Sequence, residues 1–358
     1  MPHILIIGAG VIGLQTANTF LDAGYKDITI LSKHWPGDES IEYTSPWAGV
    51  IWRTHATPDK QPEVLEWNKE SYRTWLDIAE NRADEAEKMG IQKVPLTVFS
   101  NDEELDTTNK IWYTTLVKNF TILPTSEIVF NGPKTGFSFT SIAINPTRYL
   151  SHLLARAQAR GVKTISADLP TSKGFPHALS AAIQHLQNAD KNIATDDIVV
   201  INSTGLNAHT LCADTALYPI RGQTLLVRIT PAPPFPRIIL YDNDPVAYLI
   251  PRTGTDMYLL GGTTDAENWA PEPITDVSGS ILERCGVMMK GWADDEAEIE
   301  VVRAQVGLRP GRRGGARVER EVKSVELKVV HQYGHAGSGY QNALGSSKKA
   351  LRLVKEYA

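Results

Sequence analysis

The chain opens on a strand, a glycine turn and a helix with almost nothing before them. His3-Ile4-Leu5-Ile6-Ile7 is a short apolar run, and Gly8-Ala9-Gly10-Val11-Ile12-Gly13 follows at once. Such a run reads as a buried parallel strand. In G-x-G-x-x-G each glycine has its own task. Gly8 permits the tight turn, Gly10 lets the backbone approach a pyrophosphate, and Gly13 lets helix and strand pack closely. The helix that starts at Val11 and Ile12 and runs from Leu14 to Ala23 offers free N–H groups and a positive dipole end to a diphosphate. Gly24 and a second strand, Asp27 to Leu31, complete a βαβ start. The reading is a dinucleotide site, against a plain glycine-rich strand-to-helix turn.

The remaining composition narrows the setting. The chain has 358 residues, 42% hydrophobic, with a formal net charge of −5. That length suggests two domains, or one large α/β body with an inserted sheet. No basic run points to nucleic acid, and the mild acidity mainly implies solubility. Two cysteines, Cys212 and Cys285, do not make a disulfide framework. No apolar run reaches membrane-spanning length, and a strand beginning at residue 3 leaves no room for a signal peptide.

Along the chain, residues 62–90 read as one or two amphipathic helices whose aromatics pack in the core. Residues 92–140 suit antiparallel sheet. Asn145-Pro146-Thr147 starts a helix to about Arg160, and Gly161 to Ile165 reads as a return strand. A second buried strand, Ile198 to Ile201, ends in Asn202-Ser203-Thr204-Gly205. Residues 218–264 alternate with Pro and Gly punctuation, as antiparallel sheet does. Residues 275–300 look helical, and Gly334 to Val354 is a glycine-rich turn running into a helix. Nucleotide-binding pieces therefore flank inserted sheet. The fold class is α/β, with a Rossmann-type domain (1–55, 141–220 and 300–358) interleaved with a mainly antiparallel-sheet substrate domain (56–140 and 221–299). By fold analogy this favours an FAD-binding domain over a simple nicotinamide dehydrogenase. The segment 230–246, rich in Pro and Asp, is the expected lid.

From Tyr43-Thr44-Ser45-Pro46-Trp47-Ala48-Gly49 onward the chain resembles the D-amino-acid oxidase family, which includes D-aspartate oxidases. Further matches follow in order: Pro219 to Thr224, Ala247 to Arg252, Gly261-Gly262-Thr263, Val306 to Arg312, and Tyr333 to Gln341. The likeness is to the fungal type. It implies non-covalent FAD and oxidation of a D-amino acid by transfer of the Cα hydrogen as hydride to flavin N5. Oxygen then yields hydrogen peroxide, and the imino acid hydrolyses to a 2-oxo acid and ammonia. The partners so implied are a D-amino acid and molecular oxygen. A homodimer is one assembly such a chain could form. The resemblance also implies a peroxisomal enzyme, although Lys355-Glu356-Tyr357-Ala358 is not an S-K-L signal, and the cytoplasm is the alternative.

The resemblance distributes roles. Arg309 becomes the anchor of the α-carboxylate, a task suited to a bidentate, permanently charged guanidinium. Tyr248 donates to the same carboxylate, and Gln341 reaches the substrate amine or flavin edge through its carbonyl. Gly337, Ser338, Gly339, Tyr340 and Gln341 form the turn at the flavin edge. Ser203 and Gly205 pack back on the first nucleotide motif. Thr44 and Ser45 are hydroxyl donors for the pyrophosphate, and Ala48, Gly49 and Val50 lie along the isoalloxazine ring. No carboxylate ends the second strand to bind ribose, so Ser32 or a backbone group must serve; Lys33 beside it hints at a 2′-phosphate, a hint the resemblance outweighs.

Substrate choice rests on Arg53 and His55, which share a face if their segment is extended, together with Arg252 and with Thr264, which stands where relatives carry Tyr or Arg. Arg53, His55 and Arg252 lean toward acidic substrates, D-aspartate or D-glutamate, whereas Thr264, standing where the mammalian D-aspartate branch has Arg, argues against them. The alternative is a broad oxidase of neutral D-amino acids. Outside this class stand an NAD(P)-dependent dehydrogenase and a non-catalytic FAD-binding redox sensor.

Overall fold

The computed structural model describes all residues except 129, 291, 295, 322–326 and 358. The first strand, His3–Ile7, lies in a six-stranded sheet ordered Arg317–Arg320, Lys328–Tyr333, Ile198–Asn202, His3–Ile7, Ile28–Ser32, Lys163–Ser166. All neighbours are parallel except Arg317–Arg320, which closes one edge antiparallel. Every residue of the three central strands from the N-terminal half and middle of the chain is buried. This is why they read as largely apolar runs: both faces are covered. Ile4 and Ile6 pack toward the helix Val11–Asp22, while Leu5 and Ile7 pack toward the helix Phe175–Ala189. The helices Pro146–Ala159 and Gly339–Lys355 lie beside Val11–Asp22.

The second sheet has ten strands. Its path runs Asp265–Ala266, Leu217–Thr230, Met257–Gly261, Ala247–Pro251, Ile238–Asp242, Ile91–Ser100, Thr135–Ile144, Val50–Ile51, with Glu298–Arg312 on Leu217–Thr230 and Lys118–Ile122 on Thr135–Ile144. Pairing is antiparallel except where Ile238–Asp242 meets Ile91–Ser100. The helices Pro62–Asn81 and Ala83–Met89 cover it, and Trp67, Tyr72 and Trp75 are buried there as core.

Strand continuity redraws the expected segment boundaries. Glu298–Arg312 pairs along its whole length with Leu217–Thr230, so both belong to the larger sheet, and Thr135–Ile144 runs through residue 141 without a break. The cofactor layer therefore resumes at Asn145 and again after Arg312. The expected lid 230–246 is also corrected. Ile238–Asp242 is an interior strand of the large sheet, held on both sides by ladder bonds, and only the flanking stretches 231–237 and 243–246 are free of them.

Candidate active site

A single cavity of about 1660 Å³ runs between the two sheets, from the glycine turn to the ends of the large sheet's strands. At the glycine turn, Gly8 has a φ of +108°. A Cβ there would sit 2.6 Å from the Ser203 carbonyl oxygen, and one on Gly13 only 1.9 Å from the Gly8 carbonyl oxygen. Gly13 thus lies under the turn and, unlike Gly8, Gly10, Val11 and Ile12, does not line the cavity. Ser45 Oγ accepts the Val11 N–H at 3.0 Å, directly at the start of the helix. Ser32 Oγ accepts the Ala9 N–H at 3.1 Å and donates to the His34 carbonyl at 2.7 Å. Ser203 and Gly205 line the same end. A helix N-terminus with bare glycines and clear space in front suits a diphosphate.

Lys33 does not stand ready for a 2′-phosphate. Its Nζ lies 2.9 Å from Glu42 and 3.1 Å from Asp168, and all three residues line the cavity. Lys33 and His34 hold the Glu42 carboxyl below its ordinary value. The carboxylate that the end of the second strand lacks thus arrives from a later loop. Neither Glu42 nor Asp168 is legible as a neighbour of Lys33 from local spacing.

The 43–51 segment fastens the two sheets together. Tyr43 donates to the Ala9 carbonyl at 2.7 Å. Thr44 Oγ1 donates to the Leu308 carbonyl at 2.7 Å, so its proton is committed to the large sheet and not offered to a phosphate. Ala48, Gly49 and Ile51 line the cavity. Val50 does not: alternation turns it into the core, where it is buried. A Cβ on Gly49 would meet Leu259 at 2.7 Å and Ile250 at 3.0 Å, so its bare backbone lets this segment lie flat on the large sheet.

At the far end Arg309 and Tyr248 both enter the cavity. Arg309 lies on Glu298–Arg312, opposite Ile220, and donates to the Thr263 carbonyl at 3.1 Å. Tyr248 lies on Ala247–Pro251, opposite Gly261. Three glycines clear the space. A Cβ on Gly222 would sit 2.5 Å from the Arg309 guanidinium, one on Gly261 would sit 2.1 Å from the Tyr248 ring, and one on Gly262 would sit 2.6 Å from its hydroxyl. Burial raises the Tyr248 phenol above its ordinary value and the Arg309 charge beside it opposes that rise. The phenol stays protonated at neutral pH and can donate.

The turn Gly334–Gln341 closes this end, and Gly337, Ser338, Gly339, Tyr340 and Gln341 all line the cavity. Tyr340 donates to the Ser45 carbonyl at 3.0 Å, which ties the turn to the diphosphate end. Gln341 Nε2 is buried and has no partner among the described residues, and neither has Nε2 of His335, a further lining residue. Burial pushes the His335 imidazole down to about 4. His335 sits inside the Tyr333-to-Gln341 motif, so that motif was its available signal.

Arg53 and His55 come together as their alternation implies. Arg53 Nη1 donates to His55 Nε2 at 3.2 Å, which leaves the imidazole proton on Nδ1. The Arg53 charge, then burial, pushes His55 down to about 4, against the opposing charge of Asp242. His55 is thus neutral at physiological pH, and the positive charge belongs to Arg53. Arg53 Nη2 is 2.5 Å from Asp242 Oδ2. Thr264 lines the same cavity. Arg252 does not: its guanidinium turns to the Ala48 carbonyl at 3.3 Å and braces the 43–51 segment from behind.

The comparisons with known proteins fit this geometry. The family model described as FAD dependent oxidoreductase matches residues 3–353. The chain belongs to that family. A D-amino-acid oxidase from Fusarium vanettenii is 30% identical to this FAD-dependent oxidoreductase, over 98% of the chain and 96% of the relative. A D-aspartate oxidase from Talaromyces thermophilus is 29% identical, over 99% and 95%. Glycine oxidase from Bacillus cereus shares the fold at a TM-score of 0.71 and 17% identity, covering 100% of the chain and 96% of that structure. Identities of 30% and 29% do not divide the two substrate classes. The residues present suit FAD: a bare glycine turn at a helix start, an elongated cavity, and two unpartnered buried donors at its closed end.

Proposed function

We propose that this protein is an FAD-dependent oxidase of D-amino acids, with acidic side chains preferred and D-aspartate first among them. The observation that carries the proposal is that Arg309 and Arg53 line one cavity, while the third arginine there, Arg312, is paired with Asp214. Arg309 and the neutral Tyr248 phenol grip the α-carboxylate, and that grip fixes which face of Cα is presented. Arg53 receives the side-chain carboxylate, and His55 adds a neutral N–H. The first turn of Val11–Asp22, with Ser45 and Ser32, holds the diphosphate and adenosine half of FAD, and Lys33 with Glu42 borders the ribose. Ala48 and Gly49 flank the ring system, and the turn Gly337–Gln341 faces its pyrimidine edge, where the N–H groups oppose developing negative charge. When bound, FAD takes two electrons from the substrate and passes them to dioxygen, which gives hydrogen peroxide. The imino acid leaves and hydrolyses in water to a 2-oxo acid and ammonia.

The test is a side-by-side assay of peroxide release with D-aspartate, D-glutamate and D-alanine, repeated with Arg309→Ala and His55→Phe. The expected result is turnover of D-aspartate at lower concentration than D-alanine. Arg309→Ala is expected to stay yellow and lose turnover by at least about a hundredfold, the scale of a lost charged hydrogen-bonded anchor. A wild-type protein that ignores saturating D-aspartate but oxidises D-alanine overturns the acidic preference. Peroxide from none of the three substrates overturns the oxidase reading. Normal turnover by Arg309→Ala overturns the anchor.

A further inference from the structure

We propose that Asp242 sets substrate selectivity by holding Arg53 until an acidic side chain takes its place. The proposal rests on the oxidase reading above and adds a residue to it.

The pair is lopsided. The Arg53 side chain is only 10% exposed, whereas that of Asp242 is 47% exposed. Both line the cavity, as do Asn243, Asp244 and Val246 of the turn that follows. A guanidinium so enclosed needs an anion, because leaving a buried charge unpaired is strongly unfavourable. A half-exposed carboxylate gives up little on returning to water. Exchange of one carboxylate for another therefore keeps Arg53 neutralised throughout. A neutral side chain offers no such exchange, so it leaves Asp242 in place.

Other features suit an exchange. The Asp242 backbone is fixed by pairing with Ser100, so the side chain swings without unzipping the sheet. Arg53 Nε is buried and has no hydrogen-bond partner among the described residues, which leaves a donor for a bidentate carboxylate that Asp242, reaching Nη2, does not satisfy. His55 and the buried Tyr113 also interact with Arg53 and bring no negative charge at neutral pH. Asp242 is then the carboxylate that an acidic substrate must compete with, and its strength as a competitor sets how far acidic substrates are favoured over neutral ones.

The experiment uses the FAD-loaded full chain and two unreactive acids of equal length, succinate and butyrate, titrated by the change in the flavin visible spectrum. In Asp242→Asn, succinate is expected to bind about tenfold more tightly than in wild type, one carboxylate's competition being removed, while butyrate changes less than twofold. The D-aspartate to D-alanine ratio of kcat/KM rises in parallel. A second protein keeps both charges and so guards against misfolding: Asn243→Cys carrying an environment-sensitive dye. Succinate is expected to shift its emission and butyrate is not. Equal effects on both acids, no effect on either, or an unmoved dye overturn the exchange. Loss of D-lysine turnover with unchanged succinate binding overturns it in favour of Asp242 as a ligand for cationic side chains. Failure of the oxidase reading is distinguishable, because it removes turnover while the succinate and butyrate titrations still report on Asp242.

Discussion

His335 carries a consequence beyond the site it borders. Its imidazole is buried and held at about 4 by burial, against an ordinary value of 6.5. Above pH 6.5 it is neutral in both folded and unfolded chains and costs nothing. As pH falls from 6.5 toward 4, the unfolded chain binds a proton that the folded chain refuses. Folding stability is therefore lost across that window, by about 3 kcal/mol from this residue alone. Denaturant unfolding of the FAD-loaded protein at pH 7 and pH 4.5 is expected to show the loss, and His335→Gln to reduce it. An equal loss in the variant would assign the acid sensitivity elsewhere. His55 contributes a second expectation. Because Arg53 keeps it neutral down to about 4, turnover of D-aspartate between pH 6 and 8 carries no inflection from this imidazole.

At the scale of elements, the large sheet makes room for function by omitting side chains. The Gly222 position on Leu217–Thr230 lies where any Cβ would press into the Arg309 guanidinium. Gly222→Ala is expected to raise KM for D-amino acids by about tenfold or more while flavin content stays near wild type, since displacing one charged hydrogen-bonding anchor is worth roughly 1.5 to 3 kcal/mol. An unchanged KM would show that the strand shifts to absorb the methyl.

How much of this was legible followed from sequence distance. The glycine turn and its two strands lie within the first 32 residues, and their pattern is local. Arg53 beside His55 needed only the alternation of an extended segment. By contrast, Arg53 meets Asp242 across 189 positions and Arg252 meets Ala48 across 204, so neither contact leaves a local signal. Thr44 sits inside a well-matched motif and Val50 directly follows it, but which face each side chain takes is decided by the large sheet. The same sheet turned the Pro- and Asp-rich segment after Thr230 into an interior strand, because its apolar centre, Ile238, Ile239 and Leu240, finds neighbours on both sides.

For the whole molecule, a ligand spanning both sheets fastens them to each other. Added FAD is expected to raise the thermal midpoint of stripped protein in proportion to the logarithm of its concentration, with about 2.7 kcal/mol gained at a hundredfold excess over Kd. A single transition that moves as one unit is expected, and two transitions of which one ignores FAD would show that the sheets melt independently.

The ordering of the smaller sheet has a last implication, for how the chain is made. The opening strand waits beside Ile198–Asn202, and that strand waits for Lys328–Tyr333. A ribosome delivers the first of these at residue 3 and the last near residue 333. The nucleotide cradle thus has its glycine turn made early but cannot close until Lys328–Tyr333 has been made. During that interval Ile198–Asn202 lacks its outer partner, as strands do in other parallel sheets built from distant segments. Capture of the cofactor then waits for Lys328–Tyr333 to reach its place beside Ile198–Asn202, and a nascent chain halted before residue 328 should hold no flavin.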